Sequence, residues 1–398
     1  MKKPVIRYLV ASPFGDIPVA NNRLDLPLEV DPLKTSYRVY FKSIADFLMR
    51  ENYVHLLQAI KEKLDADTNI QELKEIIIRT EKHGALYHPA SINVVFGNNT
   101  LKFGLNVAVT ERGKDSLKKE FTLLKMLHDK FNLPYLPKPY YADEVNSMVF
   151  LLEEWFEGYH EFHLASTENG GHKVKFWEYG KGDRFLSDAQ AYEIYRQASL
   201  ILTLYYDIEN FKLIYPWHHA AGDFVAKIIN ENNPPSPLFV KGGDSKSPTL
   251  KKGDLGGFLD KKIDVRLTTV RGYEPFLNVE EDIVHPTLAL FYFLLHLSIQ
   301  MRLDRLDGVG DVVWADETCI DATLSGFVQS LEHKKDFRDS IGSATSFLNL
   351  LISFSIDDLK NTFRPIAAQF EHTKDFPIIE KNLEDHVSRF YLTLQNYP

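Results

Sequence analysis

The chain has 398 residues and a mass of 45.8 kDa, enough for one large domain or two closely joined domains, which excludes a small stapled scaffold. Its 46 Lys and Arg residues against 55 Asp and Glu residues give a formal net charge of -9 at pH 7. This acidic balance argues against general binding to nucleic acid or to anionic membranes, and a hydrophobic share of 44% predicts a globular protein.

The first half of the chain predicts one helix followed by strands. Four prolines between Pro13 and Pro32 argue against a regular element, so we expect the first forty residues to lie along the surface or wrap a neighbouring lobe. Apolar residues recur at helical spacing over residues 43–64, which predicts an amphipathic helix. Runs rich in β-forming residues, separated by turn signals, then predict three antiparallel strands, at residues 76–80, 90–96 and 101–110.

A helix is predicted next, at residues 116–127, and a buried strand at residues 147–154. The second half is predicted to be mainly helical. Ser187 is a plausible N-cap for a helix that continues to Tyr205, and an apolar run predicts a core helix from Pro286 to Arg302.

Between these two helices, short strand-like runs are predicted within residues 215–229 and 263–273. They flank residues 230–262, which are rich in Pro, Gly, Ser and Lys. We therefore expect residues 230–262 to form a flexible insertion without chemistry of its own.

The cellular location follows from what the sequence lacks. Cys319 is a single cysteine and cannot form an intramolecular disulfide, so nothing suggests an oxidising compartment. Arg7 and Pro13 interrupt any apolar stretch of signal-peptide type, and the apolar run 288–299 is shorter than the ~20 residues that span a bilayer. A cytoplasmic protein of bacterial type is expected.

The order of these elements resembles the protein-kinase-like fold. Within that superfamily, residues 117–127 followed by Leu136-Pro137-Lys138-Pro139 are similar to a passage of the aminoglycoside and choline phosphotransferase branch. The resemblance covers about residues 76–306 and implies an α+β, two-lobed fold. A doubly wound α/β fold is less compatible, because the strands cluster instead of alternating with helices.

The resemblance also implies how the chain is divided. An N-terminal extension with its helix occupies residues 1–70, and an antiparallel sheet lobe with one helix occupies residues 71–157. A mainly helical C-terminal lobe, which carries the insertion, follows at residues 158–398.

The activity that this resemblance implies is transfer of the ATP γ-phosphoryl group to the hydroxyl of a small molecule, with ATP and Mg²⁺ as cofactors. Such transfer depends mainly on positioning and electrostatics. Glu120 fits the glutamate of the family's helix, and Asn106 stands where the family has a phosphate-binding lysine. Lys102 lies on the same strand face as Asn106 and is the alternative cation. Glu153, Glu154 and Trp155 fall where the family's interlobe hinge meets adenine, largely through backbone atoms.

The candidate catalytic loop spans residues 214–225. By the family pattern, Asp223 takes the metal-binding position directly before a strand, and His218, five residues earlier, takes the position of the catalytic base. Alternatively, Gly222 and Asp223 form the family's Gly-Asp pair and Asp223 is itself the base. The sequence leaves both assignments open.

The family's magnesium-binding aspartate is expected at Thr268 or Thr269, and a hydroxyl is a poor substitute for a carboxylate on Mg²⁺. Three functional positions are therefore altered. The altered positions make a pseudokinase, which binds nucleotide or another ligand without phosphoryl transfer, the main alternative.

A third hypothesis is a histidine-based metallohydrolase. His160 and His163 have the spacing of one helical face, and His218 and His219 are further candidate ligands. Hydrogen-bonded or exposed histidines between the lobes are the simpler interpretation. The substrate, the oligomeric state and any pathway are left open by the sequence.

Overall fold

The structure is a computed structural model that describes residues 3–12, 15–81, 84, 86–219, 222–229, 262–276 and 285–397. The expected insertion is almost entirely outside these residues. The described helices are α1 (Tyr37–Leu64), α2 (Glu111–Phe131), α3 (Asp188–Leu204), α4 (Pro286–Gln300), α5 (Thr318–His333), α6 (Lys335–Ile341), α7 (Ala344–Ile352), α8 (Ile356–Ala368) and α9 (Phe376–Gln395).

The described strands of the first half are β1 (Val5–Val10), β2 (Ile17–Pro18), β3 (Leu73–Thr80), β4 (Ala90–Phe96), β5 (Asn99–Ala108), β6 (Pro139–Val145), β7 (Met148–Glu154), β8 (His160–Ser166), β9 (His172–Glu178) and β10 (Gly182–Phe185). Those of the second half are β11 (Lys212–Ile214), β12 (Phe224–Ile229), β13 (Lys262–Leu267), β14 (Tyr273–Pro275), β15 (Leu303–Arg305) and β16 (Val312–Trp314). The protein is a mixed α and β structure.

The larger sheet has seven strands in the order β2-β1-β3-β4-β5-β7-β6. The three predicted antiparallel strands are confirmed as β3, β4 and β5, and the predicted helix and the strand after it are confirmed as α2 and β7. Side chains alternate between the two faces of a strand, so successive residues of β7 enter different cores. Val149 and Leu151 pack in the same core as α2, whereas Phe150 and Leu152 pack in the core that contains α1.

The expectation for the first forty residues is wrong in one respect. Val5–Val10 forms β1, which pairs in parallel with β3 and extends the sheet. The prolines that argued against a regular element all follow this apolar run, and Pro18 lies in a two-residue edge strand, where a missing N–H is tolerated.

The second sheet has five strands in the order β10-β9-β8-β12-β13. Strands within residues 215–229 and 263–273 are confirmed as β12 and β13, which pair as far as Ile229 opposite Lys262. The hairpins of β8, β9 and β10 join this pair through β8. The sheet therefore carries the loop before β12 and the segment after β13.

Helices α2 to α9 contribute to the larger core, whereas α1 lies in the smaller one. Ser187 caps α3 in a capping box with Gln190, as predicted, and α4 confirms the predicted core helix. Helices α3 and α5 cross closely at Gly326, where a Cβ would clash with the carbonyl oxygen of Arg196. In the part of the chain that the structure describes, no helix has the length and apolarity to cross a membrane.

Candidate functional site

The site lies where the segment after β13 meets the loop before β12. Thr268 joins them, since its backbone N–H donates to the Asp223 carbonyl at 2.7 Å and its hydroxyl donates to the Gly222 carbonyl at 2.6 Å. Helix α2 approaches the same segment through Glu120. One strand-end segment thus connects the loop and the helix.

Asp223 is bound by residues of its own chain. Its carboxylate is 1% exposed and accepts hydrogen bonds from both terminal nitrogens of Arg271, and the His218 backbone N–H donates to Oδ2 at 2.9 Å. Burial raises the pKa of Asp223, and the charge and hydrogen bonds of Arg271 oppose that rise. The result is a buried ion pair with both carboxylate oxygens occupied.

Glu120 of α2 is also 1% exposed. Its Oε1 accepts hydrogen bonds from the Thr269 hydroxyl and, at 2.9 Å, from the Val270 backbone N–H, while Oε2 has no hydrogen-bond partner among the described residues. Burial raises the pKa of Glu120 above its ordinary value. Helix α2 is therefore anchored to the segment after β13 by neutral donors.

Asn106 of β5 contacts a different carboxylate, that of Glu153 on β7. Its Nδ2 donates to Glu153 Oε1 at 2.9 Å, and Glu153 is 8% exposed with Oε2 unpartnered within the described ranges. Burial, followed by the charges of Glu120 and Glu154, holds the pKa of Glu153 well above its usual range. The Glu153 side chain passes over Gly104, where a Cβ would lie only 3.3 Å from Glu153 Cγ.

Lys102 of β5 lies beside Trp155, the residue that follows β7. Its ammonium is 4.1 Å from the centroid of the Trp155 ring, and burial lowers the pKa of Lys102. A cavity of about 360 Å³ is lined by Lys102 and Trp155 together with Asn93, Thr100, Glu157 and Gly158. Lys102 is four residues from Asn106, about 13 Å along a strand, and it faces Trp155 instead of the Glu120 carboxylate.

Glu154, the remaining hinge candidate, ends β7 and pairs with the chain before β6. Its backbone N–H donates to the Lys138 carbonyl at 2.8 Å, and its Oε2 accepts from the Lys138 backbone N–H at 3.4 Å. The backbone N–H and the carboxylate of Glu154 therefore both bind the Lys138 backbone and fix the end of β7.

The candidate histidines are not gathered at a metal-binding position in the part of the chain that the structure describes. His160 and His163 lie on strand β8, not on a helix, so residues three apart face opposite sides and the one-face interpretation is wrong. His219 is buried 5.2 Å from the Trp217 ring, hydrogen-bonded through Nε2 to the Met301 carbonyl, with its pKa lowered to about 4 by burial. No group of three or more His, Cys, Asp or Glu residues that could hold a metal exists in the described ranges.

The structure brings His218, Asp223, Glu120 and Thr269 together around one segment. Sequence reasoning overlooked Arg271 and the side chain of Glu153. Arg271 lies two positions after the paired threonines, but no local pattern marks its contact with Asp223, which is 48 positions away. Glu153 stands opposite Gly104 in the β5 and β7 register, a relationship that appears only once the strands are paired.

Comparison with known proteins identifies no family. Neither a protein-family model nor a curated protein matches the chain. One similar solved structure, "Crystal structure of PF14_0431, kinase domain", is 9% identical, with a TM-score of 0.27 over 82% of this chain and 87% of that chain. That TM-score is too low to establish a shared fold.

Proposed function

We propose that this protein is a pseudokinase, a kinase-like chain whose cleft binds a nucleotide or another small ligand without transferring a phosphoryl group. The chain order supports the fold assignment. Strands β3 to β5, helix α2, strands β6 and β7, and later the β12 and β13 hairpin follow one another as the resemblance implies. The passage at residues 117–139 favours the aminoglycoside and choline phosphotransferase branch.

The observation that carries the proposal is the ion pair between Arg271 and Asp223. Mg²⁺ requires several oxygen ligands in nearly octahedral geometry. Asp223 is the candidate metal-binding carboxylate, and Arg271 occupies both of its oxygens. Thr268 and Thr269 contribute only hydroxyl groups, which donate to Gly222, Asp223 and Glu120. These residues do not fit a magnesium ion.

The position that would hold phosphate charge is also altered. Asn106 supplies an amide and no charge, and its Nδ2 donates to Glu153. An amide forms hydrogen bonds to phosphate but does not neutralise it. Lys102, four residues before Asn106 on β5, contacts the Trp155 ring. We therefore expect weak nucleotide binding with little dependence on magnesium.

One observation favours the phosphotransferase alternative. His218 is half-buried, its backbone is held beside Asp223, and burial lowers its pKa. A neutral imidazole near pH 7 is a competent general base for a small-molecule hydroxyl. In that case Arg271 must release Asp223 before a metal binds.

An ADP-release assay distinguishes the two proposals. Wild-type protein and Asp223→Asn are incubated with ATP and Mg²⁺, and ADP formation is followed with excess protein over several hours. The pseudokinase proposal predicts no difference between the two proteins above the protein-free rate. ADP release by the wild type that Asp223→Asn abolishes would establish the phosphotransferase instead.

A further inference from the structure

We infer that Glu120 and Glu153 together bind the primary ammonium group of a small-molecule ligand, an inference that rests on the proposed ligand-binding function and specifies its chemistry. The two carboxylates come from α2 and β7, which both pack against β5. Both are more than nine-tenths buried. Each has one oxygen that accepts hydrogen bonds and one that has no partner among the described residues.

The neutral donors hydrogen-bonded to Oε1 of each carboxylate are already used, and the Tyr87 hydroxyl lies near the Glu120 carboxylate. The Thr269 hydroxyl and the Val270 N–H serve Glu120, and the Asn106 amide serves Glu153, in each case at Oε1. Arg271 acts on Glu120 through its charge, but its hydrogen bonds go to Asp223. A buried carboxylate oxygen without a partner is costly. Two such oxygens in one interior region define a place for a cationic donor.

A primary ammonium fits this place better than a metal ion. It carries one positive charge and three N–H donors, which match two free carboxylate oxygens and one neutral acceptor. A divalent metal requires more anionic or oxygen ligands than this pair offers, and no metal-binding group of three such residues exists within the described part of the chain. The half-buried side chains of Asn106, Thr269 and Tyr87 adjoin the pair, and these three neighbours carry no charge.

Methylammonium chloride is the probe, and thermal unfolding at constant ionic strength is the readout. Ligand that binds only the folded state raises the melting temperature, so we expect methylammonium at 100 mM to raise it by about 2 °C or more. Tetramethylammonium, which has no N–H donor, and KCl are matched controls and are expected to produce no rise. An equal rise with KCl would mean a simple cation site and would overturn the ammonium assignment.

Two variants locate the effect. Glu153→Gln keeps an acceptor for Asn106 but removes the charge, so it is expected to abolish the response to methylammonium. Glu144→Gln removes an exposed carboxylate of β6 that pairs with Lys118 of α2 and is expected to keep the response. A response that survives Glu153→Gln would overturn the inference.

Asn106→Lys supplies the ammonium from the chain itself, at the residue that already contacts Glu153. It is expected to raise the melting temperature and to remove the response to added methylammonium, whereas Asn106→Met, of similar length and uncharged, does neither. If Asn106→Lys lowers the melting temperature as much as Asn106→Met and the wild type ignores methylammonium, the two carboxyls share a proton and the inference is wrong. Neither outcome depends on ADP release, which tests the pseudokinase proposal separately.

Discussion

Arg271 donates hydrogen bonds to both carboxylate oxygens of Asp223, although the two residues lie 48 positions apart in the chain. The guanidinium is partly exposed and the carboxylate is buried. The pair closes the loop before β12 against the segment after β13. It also occupies the carboxylate that a metal-dependent phosphotransferase would need.

Arg271→Met is expected to lower the free energy of unfolding by about 3–5 kcal/mol, because it leaves the Asp223 charge buried without its partner. Asp223→Asn in the same chain removes that charge, so the double variant is expected to be more stable than Arg271→Met alone. Urea unfolding of the wild type, both single variants and the double variant gives the coupling energy. Additive single effects would show that the two side chains do not form the ion pair in solution.

Asp223→Asn is expected to change nucleotide affinity, whereas His219→Ala is expected to lower stability. His219 is packed in the core against Trp217 and Phe224, so His219→Ala creates a cavity and costs about 2–4 kcal/mol of stability, while the folded protein keeps its nucleotide affinity. Asp223→Asn removes the charge that holds Arg271 and is expected to change that affinity. Urea melts and nucleotide titrations separate the two effects. Equal affinities of Asp223→Asn and the wild type would mean that the Asp223 charge has no part in nucleotide binding.

Stability is expected to fall steeply in mild acid. Burial lowers the pKa values of His219 and His296 to about 4 and that of His386 to about 3, so these side chains stay neutral when folded and gain protons when unfolded. The contribution of these neutral histidines to the free energy of unfolding is therefore fully present above about pH 6.5. It is lost as the pH falls towards 4, by about 1.4 kcal/mol per histidine per pH unit. Urea melts across this range measure the slope.

His296→Phe tests the pH dependence of the free energy of unfolding, and His333→Gln is its matched control. His296 lies among Tyr215, Phe276 and Phe370, so phenylalanine suits its surroundings but does not titrate. His333 is exposed. The slope is expected to become shallower only in His296→Phe, and an unchanged slope in that variant would contradict the assignment of His296 as a buried neutral group.

Deleting residues 232–261 is expected to leave stability nearly unchanged. Strands β12 and β13 pair up to Ile229 and Lys262, and the deletion leaves Asn230 and Glu231 between them as a two-residue turn. Loop-closure entropy varies slowly with length. A loss of more than ~2 kcal/mol in a urea melt would show that the deleted segment packs against the rest of the protein.

Local patterns predicted the elements that form from nearby residues. Strand-forming runs with turn signals identified β3, β4 and β5, and the serine before α3 identified its start. The hairpins of β8 to β10 were not predicted, because polar and charged residues occupy many of their positions. Strand β1 was missed because the prolines beyond it dominated the interpretation of the N-terminal segment.

The candidate site was only partly predictable for a different reason. The resemblance to the kinase-like fold indicated Asp223, Glu120 and Thr269 through their places before a strand, within a helix and after a strand, and their roles stay predictions. Their partners depend on tertiary contacts between distant segments. Arg271 is defined by its contact with Asp223, and Glu153 by burial beside β5, and neither relationship has a local sequence pattern.

Calorimetric titration of the wild type with ADP and with ATP, each with and without Mg²⁺, tests the central claim most directly. Arg271 occupies the Asp223 carboxylate, and Thr268 and Thr269 offer no carboxylate. We therefore expect weak nucleotide binding, with dissociation constants that differ by less than about threefold with and without Mg²⁺, a difference of under 1 kcal/mol. Tight binding that strictly requires Mg²⁺ would show that Asp223 is released to the metal and would contradict the pseudokinase account.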